Sequence, residues 1–168
     1  RSIVVPNTVT NIGEYAFSGC SKLNNLKIEN GENYINIGDD GFYNCPIDTL
    51  YIGRTIGGST PFINKTSLTH VTIGNKVKSV IGDFDGCTKL SNIKFEDGET
   101  GISLSSFSDI PIETLYLGRN IINGGVPFNR HTKLSKVIIG DSVTSINTYA
   151  FLGCTNLKEV TIGNSVES

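Results

Sequence analysis

An apolar residue followed three and five positions later by two more recurs seven times along this 168-residue chain. The sets are Leu23-Leu26-Ile28, Ile47-Leu50-Ile52, Leu68-Val71-Ile73, Leu90-Ile93-Phe95, Ile112-Leu115-Leu117, Leu134-Val137-Ile139 and Leu157-Val160-Ile162. Their first members, the anchors, lie 24, 21, 22, 22, 22 and 23 residues apart. A unit this short cannot bury its apolar face alone, so a fixed period of this length makes the chain a coil wound repeatedly on itself. Stability then belongs to the stack, and rows of like residues running through the coils become its core.

An L-x-x-L-x-L core at this spacing is the pattern of a leucine-rich-repeat solenoid. The predicted fold has about seven coils of roughly 22 residues, with a parallel β-sheet on one face. Short strands, turns and 3₁₀ or helical segments are expected on the other. Residues 1–168 read as one elongated leucine-rich-repeat domain. Residue 1 falls inside a coil and residue 168 partway into an eighth, so we expect a segment of a longer array.

Three further rows support the coil. Phenylalanine recurs once per unit, at Phe17, Phe42, Phe62, Phe84, Phe107, Phe128 and Phe151, and is expected to stack as a spine. Glycine follows the strand in five units, as Gly53, Gly74, Gly118, Gly140 and Gly163, where a residue tolerant of positive φ would turn the chain. The pairs Val9 with Ile12, Val77 with Val80 and Val143 with Ile146 suit a second, shorter strand. The stretch from Asn147 to Cys154 reads as a short helical or 3₁₀ turn.

Similarity is stronger three units apart than between neighbours. Asn25–Glu32 matches Asn92–Glu99, and Pro46–Arg54 matches Pro111–Arg119. Gly57-Gly58 is echoed by Gly124-Gly125, and Pro61-Phe62 by Pro127-Phe128. The array grew by duplication of a three-unit module.

Charge is close to balance, with 14 Lys and Arg against 16 Asp and Glu, and no run of like charge occurs. A chain of this kind lacks the clustered cations that nucleic acid or an anionic membrane selects. No stretch is apolar enough for direct membrane insertion. The polar surface is mostly Ser, Thr, Asn and Gly, which fits an extracellular or cell-surface setting, with targeting and anchoring signals expected outside this segment.

Signatures of chemistry are missing. No phosphate-binding loop, nucleophile elbow or zinc-protease motif occurs, and neither a cofactor nor a metal is expected. His70 and His131 fall on different corners of the coil and read as surface histidines. The turns Glu29–Glu32 and Glu96–Glu99 lack the calcium-loop pattern, and Asp39, Asp40, Asp83 and Asp85 read as solvated loop carboxylates. Cys20, Cys87 and Cys154 each precede an anchor by three residues and Cys45 by two, as buried structural thiols would. Only Cys20 and Cys45 lie on neighbouring coils, which leaves them either bridged or free.

Alternation along each strand sends Leu26 and Ile28 inward and their neighbours outward. One outward row is then Lys27, Tyr51, Thr72, Lys94, Tyr116, Ile138 and Thr161, and beside it run Asn25, Thr49, His70, Asn92, Thr114, Lys136 and Glu159. Repeat proteins bind through such faces, and tyrosine is enriched where binding energy concentrates. The candidate ligand-binding residues are therefore Tyr51, Tyr116, Lys27, Lys94, His70 and Lys136.

From Val143 to Val166, with its Ala150-Phe-Leu-Gly-Cys154 and Val160-Thr-Ile162, and again at Ala16-Phe-Ser-Gly-Cys20, the chain resembles the BspA-like leucine-rich-repeat proteins. The resemblance covers essentially the whole chain. It departs from the family pattern where Pro-Phe or Cys-Pro replaces Gly-Cys and where glycine replaces proline after the strand. It implies a bacterial cell-surface or secreted, non-enzymatic adhesion or recognition module. The implied partners are host extracellular-matrix proteins or another bacterial surface protein, and no conserved ligand site is carried over. Two other readings stand beside it: a structural spacer displaying other domains, and a polysaccharide-active parallel β-helix. Unpaired parallel edges also lead us to expect end-to-end self-association.

Overall fold

The structure, a computed structural model, describes residues 1–58, 60–80, 84–105, 107, 110–123 and 125–168. Asp83 and Gly124, named above, lie outside the described residues. In chain order the strands are β1 (Ser2–Val5), β2 (Asn11–Ile12), β3 (Asn25–Ile28), β4 (Ile35–Ile37) and β5 (Thr49–Ile52). They continue as β6 (Ile56–Gly58), β7 (His70–Ile73), β8 (Ser79–Val80), β9 (Asn92–Phe95) and β10 (Ile102–Leu104). The last four are β11 (Thr114–Leu117), β12 (Ile121–Asn123), β13 (Lys136–Ile139) and β14 (Glu159–Ile162).

One parallel sheet runs β1-β3-β5-β7-β9-β11-β13-β14. Two three-stranded parallel sheets, β2-β4-β6 and β8-β10-β12, lie elsewhere on the coil. The anchor pattern dictates the large sheet. In β3 Leu26 and Ile28 are buried while Asn25 and Lys27 are exposed, and the same alternation passes in register through Leu50 and Ile52, Val71 and Ile73, and Ile93 and Phe95. Strand β1 adds an eighth member ahead of the first anchor, pairing Ile3 with Leu26 and Val5 with Ile28.

The phenylalanine spine is continuous. Neighbouring rings from Phe17 to Phe151 stack with centroids between 5.3 and 6.5 Å apart. Phe95, the one phenylalanine off this row, occupies the strand position of an isoleucine or leucine and meets Phe107 edge-on at 87°. Offset and edge-on contacts of this kind add to the area the rings bury.

The expected helical segments are not there: the corners are turns, and no helix occurs among the described residues. Amide direction is the reason. Tyr15, Phe17 and Gly19 donate to Asp39, Gly41 and Tyr43 of the next coil, while Ala16, Ser18 and Cys20 close local four-residue turns onto Gly13, Tyr15 and Phe17. A helix would need every amide directed along its own axis. Left-handed backbone accompanies these corners, on one or both sides of the phenylalanine. Tyr15, Asp40 and Tyr149 supply it before the ring; Gly19, Asn44, Asn64, Gly86, Arg130 and Gly153 supply it after.

This also corrects the role of the glycines that follow the strands. None of Gly53, Gly74, Gly118, Gly140 or Gly163 has positive φ. They are glycine because the coils approach too closely for a side chain. A Cβ on Gly53 would lie 2.4 Å from the Asn30 nitrogen, and one on Gly118 would lie 2.5 Å from the Asp97 nitrogen. Of the three second-strand pairs, two fall at strands, β2 and β8, while Val143 and Ile146 flank a bridged but irregular segment in which Ile146 donates to Ser168.

Candidate functional site

The outward rows fall where alternation put them. Register aligns Lys27, Tyr51, Thr72, Lys94, Tyr116, Ile138 and Thr161 across the sheet, with Asn25, Thr49, His70, Asn92, Thr114, Lys136 and Glu159 beside them. Within the first row two pairs repeat. The Lys27 ammonium stands 5.6 Å from the centre of the Tyr51 ring, and that of Lys94 stands 5.3 Å from the centre of Tyr116. Both distances are in the range where a cation is drawn to an aromatic face. Each lysine is exposed and each tyrosine half-buried. Three strand steps separate the pairs, about 14 Å at sheet spacing.

The tyrosine hydroxyls reach the turns at the strand ends, over the bare glycines. Tyr51 Oη lies 2.7 Å from Asn30 Oδ1 and 3.1 Å from Glu96 Oε2. Tyr116 Oη donates to the Asp97 carboxylate, 2.7 and 2.9 Å from its two oxygens. A Cβ on Gly74 would come within 2.9 Å of the Tyr51 hydroxyl, and one on Gly140 within 2.8 Å of that of Tyr116. The bond to Asp97, with burial and the nearby Asp97 and Asp141 charges, pushes the Tyr116 pKa up to about 12. Burial, then Glu96, raises that of Tyr51.

His70 and Lys136 stand apart from these pairs. His70 is exposed on β7 in the second row, with Nδ1 2.8 Å from Thr69 Oγ1. Lys136 is bound to Glu159 on the neighbouring strand at 2.8 Å. The face thus offers two repeated lysine–tyrosine units with His70 between them, and a lysine whose charge is already matched.

Sequence reasoning missed two buried arginines. Arg54 and Arg119 are fully buried, each one residue past the glycine that ends its strand. Arg54 reaches across an entire coil: Nη1 donates to Asn7 O at 2.7 Å, and Nη2 to Pro6 O at 2.9 Å and Val9 O at 2.6 Å. Arg119 does the same to Asn75 O at 3.0 Å and Gly74 O at 2.9 Å. Gly31 leaves room for the Arg54 crossing, since a Cβ there would stand 3.2 Å from Arg54 Cδ. Burial lowers both pKa values, partly offset by Glu29 and Glu96 respectively. The duplicated Ile52-Gly-Arg54 and Leu117-Gly-Arg119 carried the signal: a charge fixed directly after a core strand.

His131 is not at the surface. It is 4 % exposed and lies against Phe128, with Nδ1 3.1 Å from Ile110 O and Nε2 unpartnered. It occupies the corner that other coils give to cysteine, whose thiol donates to the preceding coil's phenylalanine carbonyl: Cys45 to Phe17, Cys87 to Phe62 and Cys154 to Phe128. Burial outweighs its backbone bonds and lowers its pKa. Cys20 also departs from expectation. It is exposed.

A cleft of 560 Å³ opens where residues 39–46 meet 60–67. Asp39 and Asp40 are solvated as expected, yet they line this cleft with Tyr43, Asn64 and Lys65. Asp85 is exposed. No group of three or more potential metal ligands is assembled among the described residues.

Two solved structures resemble the chain. A leucine-rich repeat protein from Bacteroides ovatus is 24 % identical over 98 % of this chain and 61 % of its own, with a TM-score of 0.39. A leucine rich cell surface protein from Faecalibacterium prausnitzii is 17 % identical over 96 % of this chain and 59 % of its own, with a TM-score of 0.37. The chain therefore spans about three fifths of either protein. No curated protein matches it. The sequence profile of the BspA type leucine rich repeat region matches in six copies, over residues 1–83 and 55–168. The chain belongs to the BspA type leucine-rich repeat family.

Proposed function

We propose that this chain is a non-enzymatic adhesion or recognition module of a bacterial cell surface, binding a protein partner through the exposed face of its large sheet. Family membership supports a protein-interaction role. The observation that carries the choice of face is the repeated lysine–tyrosine unit: two ammonium groups held over two fixed rings at the same level of the sheet. Rigid aromatics give contact area at little entropic cost, and the ammonium groups suit carboxylates on a partner. Host extracellular-matrix proteins and other bacterial surface proteins are the partners to screen. His70, between the two units, completes the face, and Lys136 joins it on separating from Glu159.

The internal bonding of both tyrosine hydroxyls favours a second reading, a structural spacer in which the rings merely cover the sheet. Immobilised matrix and bacterial surface proteins would be probed with the purified chain and with a Lys27→Ala, Lys94→Ala double variant. Binding that the variant loses while its unfolding midpoint is unchanged supports recognition through this face. Absence of binding by the unaltered chain moves the reading to the spacer. End-to-end pairing through parallel strand edges belongs to the same proposal. A monomer mass by light scattering at every concentration would remove it.

A further inference from the structure

The cysteine corner holds one arrangement that the recognition reading does not use. Phe17 and Phe42 stack face to face at 5.3 Å, and each lies three residues before a cysteine, Cys20 and Cys45. The backbone between keeps this register, with Phe17 donating to Gly41 and Gly19 to Tyr43. The Cys45 thiol donates to Phe17 O at 3.0 Å, and the Cys20 amide donates to that same oxygen at 3.2 Å. Two cysteines on successive coils thus converge on one carbonyl. Coil spacing is about 4.8 Å, inside the Cα separation that a disulfide spans. The other two cysteines face different chemistry. At the same corner, Cys87 follows Lys65 and Cys154 follows His131.

Accessibility sets an order within the pair. Cys20 is exposed and Cys45 is buried, with its thiol held as S–H against the carbonyl. Burial raises the Cys45 pKa, and Cys20 is among the groups that perturb it. Attack on an outside reagent therefore begins at Cys20, because the thiolate is the nucleophile and access limits its rate.

We propose that Cys20 and Cys45 form an oxidisable pair that closes to a disulfide by exchange with a small-molecule disulfide, clamping the first two phenylalanine corners together. In the first step Cys20 loses its proton to solvent and attacks one sulfur of the reagent. That forms a mixed disulfide and releases one reagent thiolate. In the second, Cys45 loses its proton and attacks the Cys20 sulfur, expelling the other half of the reagent as thiolate. Two protein thiols are oxidised by two electrons in all, and the reagent disulfide is reduced to two thiols.

The test is incubation of the folded chain with oxidised glutathione, followed by alkylation in denaturant and peptide mass spectrometry. We expect a linked peptide pair containing Cys20 and Cys45, two hydrogens lighter than the reduced pair, with Cys87 and Cys154 recovered alkylated. A glutathione adduct that persists on Cys20 with no linked pair overturns the proposal, as does linkage of Cys45 to any other cysteine. The variant Cys45→Ser is expected to stop at the Cys20 adduct. In Cys20→Ser, whose exposed position makes the substitution mild, Cys45 should stay unmodified; rapid reaction of Cys45 there would refute the order of attack.

Discussion

The two copies of the three-coil module share their strand motifs, yet bond differently at the same places. In the first, Tyr51 ends on the Asn30 amide and shares Glu96 from two coils on; in the second, Tyr116 ends on both oxygens of Asp97. Arg54 holds the carbonyls of Pro6, Asn7 and Val9, whereas Arg119 holds those of Asn75 and Gly74. At the cysteine corner the first copy sets Cys45 beside Cys20, while in the second Ile110 follows Cys87. Duplication preserved the scaffold, and single substitutions reassigned charge and protons upon it.

The largest test of this comparison removes the arginines. Arg54→Ala leaves three carbonyls without their donor and a cavity spanning a coil, and should cost about 3 kcal/mol or more. Arg119→Ala, with two carbonyls at stake, should cost about 2 kcal/mol. Urea unfolding of both variants checks the order, and equal losses would erase the distinction. Lysine should not rescue Arg54, since one ammonium cannot present two donors in a fork.

A smaller effect separates His131 from the cysteines at its corner. Its folded pKa is depressed, so between that value and the unfolded value near 6.5 the unfolded chain binds more protons. The stability tied to His131 is present above 6.5 and is lost as pH falls through that window. Urea midpoints at pH 7.5 and 5.5 should differ more for the unaltered chain than for His131→Cys. An unchanged difference would mean that another group titrates.

The finest comparison exchanges the tyrosine partners. Asp97→Asn should bring the Tyr116 pKa from about 12 back toward 10, and Asn30→Asp should raise that of Tyr51 further. Absorbance titration of the phenolates reads both. The unfolded chain ionises first, so stability linked to Tyr116 should fall as pH rises from about 10 to 12, and Asp97→Asn should narrow that window.

What could be foreseen from the letters was whatever repeats by arithmetic. The sheet faces follow from alternation and the spine from one phenylalanine per coil, so the positions of Lys27, Tyr51, Lys94 and Tyr116 on one row were readable. Contacts set by the fit of one coil on the next were not. Gly53 and Gly118 look like turn formers in sequence, yet only the packed stack reveals the backbone 2.5 Å or less from where a side chain would begin. Left-handed Tyr15 carries no local signal, because its amide is bonded to Asp39 of another coil. His131 was recoverable: it stands three residues before an anchor, as Cys20, Cys87 and Cys154 do.

The arginine crossings bear on how the stack comes apart. Were each coil tied only to its neighbours, an end coil could peel away at the cost of a single interface, and the array would melt like a zipper. Extracting the turn at Pro6–Val9 instead breaks bonds anchored two coils deeper. Loss of order at that end is then collective over β1, β3 and β5, whose amides should share one opening free energy in hydrogen exchange. Pulled from that end, the molecule should yield in a discrete jump of three coils, a coarse-grained spring in place of a graded one.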